Sequence, residues 1–164
     1  MKILVLSDSH SAMHFMRSCV EAIKPQAIVH LGDYYDDALT LKELYPHIPL
    51  HHVPGNCDRY RCPPGVQERL CYDVCGVRLF MTHGHTYRVK YTTALLLAEA
   101  RAMEAQAALY GHTHEAECRL DGTMWVMNPG SAGYGGGSAG LIETENHTIT
   151  SCRILRQEDL EEFL

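Results

Sequence analysis

Residues 2–6 (KILVL) form an apolar run that stops at Ser7-Asp8-Ser9-His10. A short run closed by a polar turn predicts a strand buried on both faces. Over residues 12–24 the apolar positions Met13, Met16, Val20 and Ile23 recur at a helical period, and Pro25 ends the helix. Residues 26–31 (QAIVHL) predict a second strand, closed by Gly32-Asp33. A helix is expected over 36–45, with Leu39, Leu41 and Leu44 apolar and Pro46 following, then a third strand over 50–53 ended by Pro54-Gly55-Asn56. Strands alternating with helices through short crossovers predict a parallel sheet.

The second half has a different rhythm. Residues 59–69 (RYRCPPGVQER) read as a polar, Pro-rich loop. Residues 70–75 and 77–82 predict a hairpin about Gly76, and 117–120 and 124–127 another about Asp121-Gly122. Between them lie an Ala/Leu-rich helix over 92–105, a core helix rather than an interaction device, and a strand over 107–110 closed by Gly111. A Gly-rich loop over 133–137 precedes a last pair of strands, 141–143 and 148–155. With no repeat or linker visible, residues 1–164 are expected to form one α/β domain, parallel in its first half and mostly antiparallel in its second.

Composition narrows the function. At 46% apolar and 21% charged the chain is neither low-complexity nor disordered. Its net charge of −6 removes the footprint of a general nucleic-acid or anionic-membrane binder. No apolar run is long enough to span a membrane, and four apolar residues near the start are too few for a signal peptide. Seven cysteines, an odd number without a C-x-x-C pair, suggest no disulfide framework. A cytoplasmic location is expected, which leaves the Asn146-His147-Thr148 sequon without meaning.

The chemistry lies at the strand ends. Asp8-Ser9-His10, Gly32-Asp33, Gly55-Asn56-Cys57-Asp58, His83-Gly84-His85 and Gly111-His112-Thr113-His114 each follow a predicted strand. Ligands of open α/β sheets bind at the carboxyl ends of strands. Asp, His and Asn are ligands for divalent metals of intermediate hardness, and glycines beside four of the clusters permit sharp turns. Taken singly, each cluster is equally a turn; the ordered set converging on one edge points to a metal site. Two cations about 3.5–4 Å apart clamp the attacking and leaving oxygens of an in-line displacement, and a water bridging them ionises near neutral pH. Such a pair requires a bridging carboxylate and about three further protein ligands for each ion.

The ordered motifs Asp8-Ser9-His10, Gly32-Asp33, Gly55-Asn56-Cys57-Asp58, Thr82-His83-Gly84-His85 and Gly111-His112-Thr113-His114 resemble those of the calcineurin-like metallophosphoesterase superfamily. Asn128-Pro129-Gly130-Ser131 resembles its small bacterial and archaeal phosphodiesterase branch, and the resemblance covers residues 1 to about 155. It implies a four-layer α/β/β/α sandwich with mixed sheets. It implies Asp8, His10 and His114 on a first metal, Asp33 bridging, and Asn56, His83 and His112 on a second. Mn²⁺ is the first choice of ion, with Fe, Zn, Ni or Co as alternatives. The implied activity is hydrolysis of a small phosphate ester, a diester before a monoester, by a metal-bridging hydroxide. The alternative is a non-catalytic protein-interaction scaffold on the same fold, known in a membrane-trafficking subunit whose metal-binding positions have decayed.

Asp33 and Asn56 are thus expected to be catalytic as well as ligands, and three neighbours join them as candidates. His85 is either substrate-facing or a support to a ligand. Cys57 stands where many superfamily members have His; a thiol is the poorer donor, which favours good leaving groups, unless Cys57 merely packs beneath the site. Asp58 either orients an imidazole or caps the turn. Arg59, Arg61, Arg88 and Lys90 are candidates for gripping phosphate or are solvated charge. His30, His51 and His52 are expected to be packed or hydrogen-bonded rather than ligands. In the tail, Leu160, Phe163 and Leu164 could dock on the body or on a second copy, which keeps a homo-oligomer open.

Overall fold

In β1 (Lys2–Leu6) alternate side chains serve two different cores. A computed structural model, which describes residues 1–164, places Leu4 and Leu6 in one apolar cluster and Ile3 and Val5 in another. The same two-residue period splits β5 (Val77–Thr82) and β6 (Ala107–Leu109): Leu79, Met81, Ala107 and Leu109 join the cluster of Ile3, while Phe80 and Ala108 join a third. Strands covered on both faces must be apolar at nearly every position, which is why they read as unbroken runs.

The first cluster packs one sheet against α1 (Met13–Ile23), α2 (Tyr35–Leu44) and the tail; the third packs the other sheet against α3 (Ala94–Ala102). The second cluster lies between the sheets. The result is the expected four-layer α/β/β/α sandwich. The first sheet adds β2 (Ala27–His30) and β3 (Leu50–His52) parallel to β1, and β9 (Ser138–Glu145) and β10 (Thr148–Arg156) antiparallel, in the order β10-β9-β1-β2-β3. The second runs β4-β5-β6-β8-β7, with β4 (Arg69–Val74), β7 (Glu117–Asp121) and β8 (Met124–Asn128).

The second half is mostly antiparallel as expected, through the β4–β5, β7–β8 and β9–β10 pairs, and it keeps two parallel pairs, β5–β6, joined through α3, and β6–β8. Two expectations need correcting. β9 begins at Ser138 rather than 141; Ser138, Ala139 and Gly140 have low strand propensity but pair with Arg156, Leu155 and Ile154 of β10. In α2 only Leu41 of the three leucines is buried, since Tyr35 and Ala38 supply the rest of its inner face and leave Leu39 and Leu44 outside. The tail is resolved in favour of docking on its own chain: residues 157–163 form a 3₁₀ helix that buries Leu160 and packs Phe163 against the first cluster, leaving Leu164 exposed. No helix is long and apolar enough to cross a membrane.

Candidate metal centre

The carboxyl ends of β1, β2, β3, β5 and β6 deliver the five polar clusters. The turns are forced rather than relaxed. Asp8, His10, Asp33, His112 and His114 all adopt positive φ, between 43° and 71°. Non-glycine residues rarely do so, at about 1–3 kcal/mol each. Of the glycines among them, Gly55 and Gly111 have ordinary negative φ; they are required by space, because a Cβ would overlap the Asp33 carboxylate in one case and Ser7 and Asp8 in the other. Gly32 (φ 97°) and Gly84 (φ 102°) do make the expected sharp turns; at Gly55 and Gly111 the requirement for space replaces that expectation.

Donor atoms of Asp8, His10, Asp33 and His114 all lie within 4.8 Å of one another. Asp8 is fully buried, and its two oxygens differ. Oδ2 accepts hydrogen bonds from Ser7 Oγ (2.5 Å) and the His112 amide (3.1 Å). Oδ1 has no hydrogen-bond partner, yet lies 3.0 Å from His114 Nε2 and 4.0 Å from His83 Nε2. His10 Nε2 is likewise buried and unpartnered.

The remaining expected ligands connect through His83. Its Nδ1 donates to the Leu31 carbonyl (2.8 Å), so its Nε2 is a bare lone pair. That atom faces Asn56 Oδ1 at 3.1 Å and Asp33 Oδ1 at 3.6 Å, which are acceptors too. His112 lies beside it, with ring centroids 5.1 Å apart. Burial pushes the His112 imidazole down to about 4, leaving it neutral. Burial alone would raise the Asp33 carboxyl, but its surroundings, the Cys57 amide that donates to Oδ1 among them, hold it below the ordinary range. Three lone pairs without a shared proton, and two buried carboxylates reached within 4 Å by no basic group but imidazole, fit a cation. The donor set, oxygens and imidazole nitrogens with no thiolate, suits a divalent ion of intermediate hardness and a binuclear site.

The calcineurin-like phosphoesterase superfamily domain matches residues 1–147. The chain belongs to that superfamily. Among superfamily relatives it is similar to a probable metallophosphoesterase of Methanothermobacter thermautotrophicus, 30% identical over 135 residues spanning 80% of this chain and 77% of the relative. It is similar also to a phosphodiesterase of Methanocaldococcus jannaschii, 25% identical over 164 residues, 88% and 94% of the two chains. In fold it resembles Vps29 of Chaetomium thermophilum, with a TM-score of 0.73 at 19% identity over 94% of this chain and 95% of that one.

The other candidates of this superfamily member fall into place individually. Asp58 is fully buried, and its carboxylate accepts from three backbone amides, those of Tyr34, Tyr35 and Gly55, at 2.8–2.9 Å. These are the contacts of a cap for the turn and for α2, not of a residue steering an imidazole. Cys57 is exposed rather than packed beneath the site; partial burial of its sulfur and the Asp33 carboxylate push the thiol up to about 11. His85 lines a cavity of about 680 Å³ with Asn56, Arg59 and Glu68. Its Nδ1 is unpartnered, and burial lowers its basicity. Arg61 is spent on Asp36 (3.7 Å) and the Tyr34 ring.

The supports of the site escaped sequence reasoning. Asn128 Nδ2 donates to Gly111 O and Thr113 Oγ1, and Ser131 Oγ donates to Asp8 O, so the Asn-Pro-Gly-Ser segment ties the His112–His114 turn to β1. His30 Nδ1 accepts from the Gly32 amide and Nε2 donates to Ser9 Oγ, which donates to Asp37 Oδ2. The motif Asn128-Pro129-Gly130-Ser131 was visible as a resemblance; nothing in spacing signals the His30–Ser9–Asp37 chain.

Proposed function

We propose that residues 1–164 form one binuclear metal-dependent phosphoesterase unit, acting in the cytoplasm on small phosphate esters and preferring diesters. The observation that carries this reading is the pair of buried carboxylates, Asp8 and Asp33, with no Arg or Lys within 4 Å. Two buried anions with no Arg or Lys beside them call for cations to join them. Asp8, His10 and His114 would hold one, Asn56, His83 and His112 the other, with Asp33 between, and Mn²⁺ is the first ion to try. Bound cations supply positive charge against phosphoryl oxygens and a water that ionises near neutral pH.

The chain's own residues do the rest. Leu31 fixes the His83 tautomer, and Ser7 with the His112 amide turns Asp8 Oδ1 inward. His85 and Arg59 border the cavity beside Asn56, where an ester arm has room and where both could contact it. The net charge of −6 favours a small ligand at this site over a polyanion along the surface.

The likeness of fold to Vps29 supports a second reading, a protein-interaction scaffold. Metal binding does not separate the two, since a Vps29 of Entamoeba histolytica has been solved with Zn²⁺. Turnover does. Stripped protein is assayed on bis(p-nitrophenyl) phosphate with Mn²⁺, Fe²⁺, Zn²⁺, Ni²⁺ and Co²⁺ in turn. Hydrolysis with at least one ion, lost in Asp33→Ala, is expected. No turnover with any ion favours the scaffold, and full activity in Asp33→Ala refutes the bridging role.

A further inference from the structure

Tyr134 is an aromatic residue with no part in the core. It is 56% exposed and belongs to none of the three apolar clusters. Its ring stacks on His114, with centroids 5.3 Å apart and planes 19° apart, and leans on His10 at 4.8 Å. Tyr34 meets the same His10 edge-on at 4.9 Å. Although Tyr134 sits in a Gly-rich loop, it does not swing freely: Ser131 Oγ accepts from its amide (3.0 Å) and from that of Gly133 (3.1 Å), and its carbonyl accepts from the Gly137 amide (3.1 Å). An exposed ring held over two imidazoles contributes little to folding. What it offers is a flat apolar surface at the lip of a polar centre.

We propose that Tyr134 is a specificity-determining residue that selects phosphoryl ligands bearing a planar aromatic group, which stacks on its exposed ring. The proposal rests on the phosphoesterase reading only in placing the phosphoryl end at the Asp/His cluster. A phosphoryl group alone reaches the cluster without touching the ring; an aryl or nucleobase arm on the His10–His114 side meets Tyr134. Aromatic stacking on a protein ring is sequence-tolerant for bases and worth roughly tenfold or more in affinity.

The test uses inert probes on Mn²⁺-loaded protein: calorimetric binding of phenylphosphonate and methylphosphonate, whose P–C bonds no esterase cleaves. Wild type should bind phenylphosphonate about tenfold more tightly. Tyr134→Ala should lower that preference below about threefold while leaving methylphosphonate affinity unchanged, and Tyr134→Phe should retain it. The proposal is overturned if wild type shows no preference, if neither probe binds, if Tyr134→Ala keeps the preference, or if it weakens both probes equally, which would make Tyr134 only a prop for His10 and His114. Failure of the phosphoesterase reading appears separately, as absence of diester hydrolysis in protein that still discriminates between the phosphonates.

A second contact is independent of the site. Cys118 on β7 and Cys152 on β10 lie with their sulfurs 3.0 Å apart, both half-buried against the cluster between the sheets. β7 and β10 are edge strands of different sheets. We infer that this pair is a disulfide-forming site that clips the two sheets together, with a small-molecule disulfide as oxidant. With oxidised glutathione, the Cys118 thiolate attacks one sulfur, breaking the S–S bond and releasing one glutathione thiol. Cys152 then attacks the sulfur of Cys118 and releases the second, so the protein loses two hydrogens and one glutathione disulfide is reduced. Peptide mapping should recover a Cys118–Cys152 link, the thiol count should fall by two from seven, and the melting temperature should rise by roughly 5 °C. Cys118→Ser should abolish all three effects. Both cysteines remaining alkylatable, or a link through Cys57 or Cys62 instead, would overturn the inference.

Discussion

Nδ1 of His83 donates a hydrogen bond to the carbonyl oxygen of Leu31 over 2.8 Å. A carbonyl can only accept, so the proton is fixed on Nδ1 and the Nε2 lone pair is committed to the space shared with Asn56 Oδ1 and Asp33 Oδ1. Ligation is thus prepared by backbone before any ion arrives. His83→Ala should reduce the bound metal from two ions per chain to one, measured by elemental analysis after gel filtration, and should lower diester turnover by at least about a hundredfold, beyond the 10–100-fold typical of losing a supporting contact. Two ions retained in the variant would remove His83 from the ligand set.

Asp58 makes a different prediction because it caps instead of ligating. Three amides, from Tyr34, Tyr35 and Gly55, spend their protons on one buried carboxylate. Asp58→Asn keeps one acceptor oxygen and sets an amide donor against another donor. An unsatisfied buried amide costs about 1–3 kcal/mol, so urea unfolding should show a loss of about 2 kcal/mol. Metal affinity should weaken with it, since the same turn carries Asn56. A variant with unchanged unfolding but reduced turnover would instead restore the role of steering an imidazole.

The stability should carry a pH signature from His30. This imidazole is fully buried, and burial pushes it from 6.5 to about 4. Asp58 and Asp33 oppose that shift, and Asp37 faces it through Ser9. Its neutral form is built in, because Nδ1 must accept from the Gly32 amide. In the unfolded chain it takes a proton near 6.5, so between 6.5 and about 4 the unfolded state binds more protons and stability falls as pH falls. At 1.36 kcal/mol per unit the loss is about 3 kcal/mol across that window. Chemical unfolding of metal-free protein at a series of pH values, compared with His30→Gln, checks it: the variant should lose most of the slope. Equal slopes in both proteins would assign the pH dependence elsewhere.

Much of this was legible in the sequence because the strands are buried on both faces. Ile3, Leu4, Val5 and Leu6 can all be apolar only if helices cover one face and a second sheet the other, and the polar clusters then stand out sharply at the ends. The β9 start was illegible because Ser138, Ala139 and Gly140 become strand only through pairing with β10. Leu39 and Leu44 misled because a three-turn helix has room for one narrow buried stripe, and Tyr35 and Ala38 occupy it with Leu41. Within the site, residue types and order were visible, but not the left-handed backbone of Asp8, His10, Asp33, His112 and His114, which tertiary contacts impose. Tyr134 gave no signal either, since only the folded loop brings it over His114.

Cys57 tests the leaving-group side of the chemistry. Its amide holds Asp33 Oδ1 at 2.9 Å, so the backbone is fixed, while its side chain is exposed beside Asn56. A larger ring at this position meets open space rather than core. A protonated thiol is a weak donor to a departing oxygen; an imidazole is a good one. Diesters with acidic alcohols depart without help, whereas monoesters of ordinary alcohols do not. Cys57→His should therefore raise the ratio of monoester to diester turnover by about a hundredfold, the low end of general acid catalysis, while Cys57→Ser leaves it within a few-fold of wild type. The comparison is made on p-nitrophenyl phosphate, glycerol 3-phosphate and bis(p-nitrophenyl) phosphate with the same ion bound. The gain should be largest for glycerol 3-phosphate, whose leaving group is the poorest. A ratio that stays flat across the three substrates in Cys57→His would mean that the thiol has no part in leaving-group departure, and that position 57 matters only for the amide it presents to Asp33.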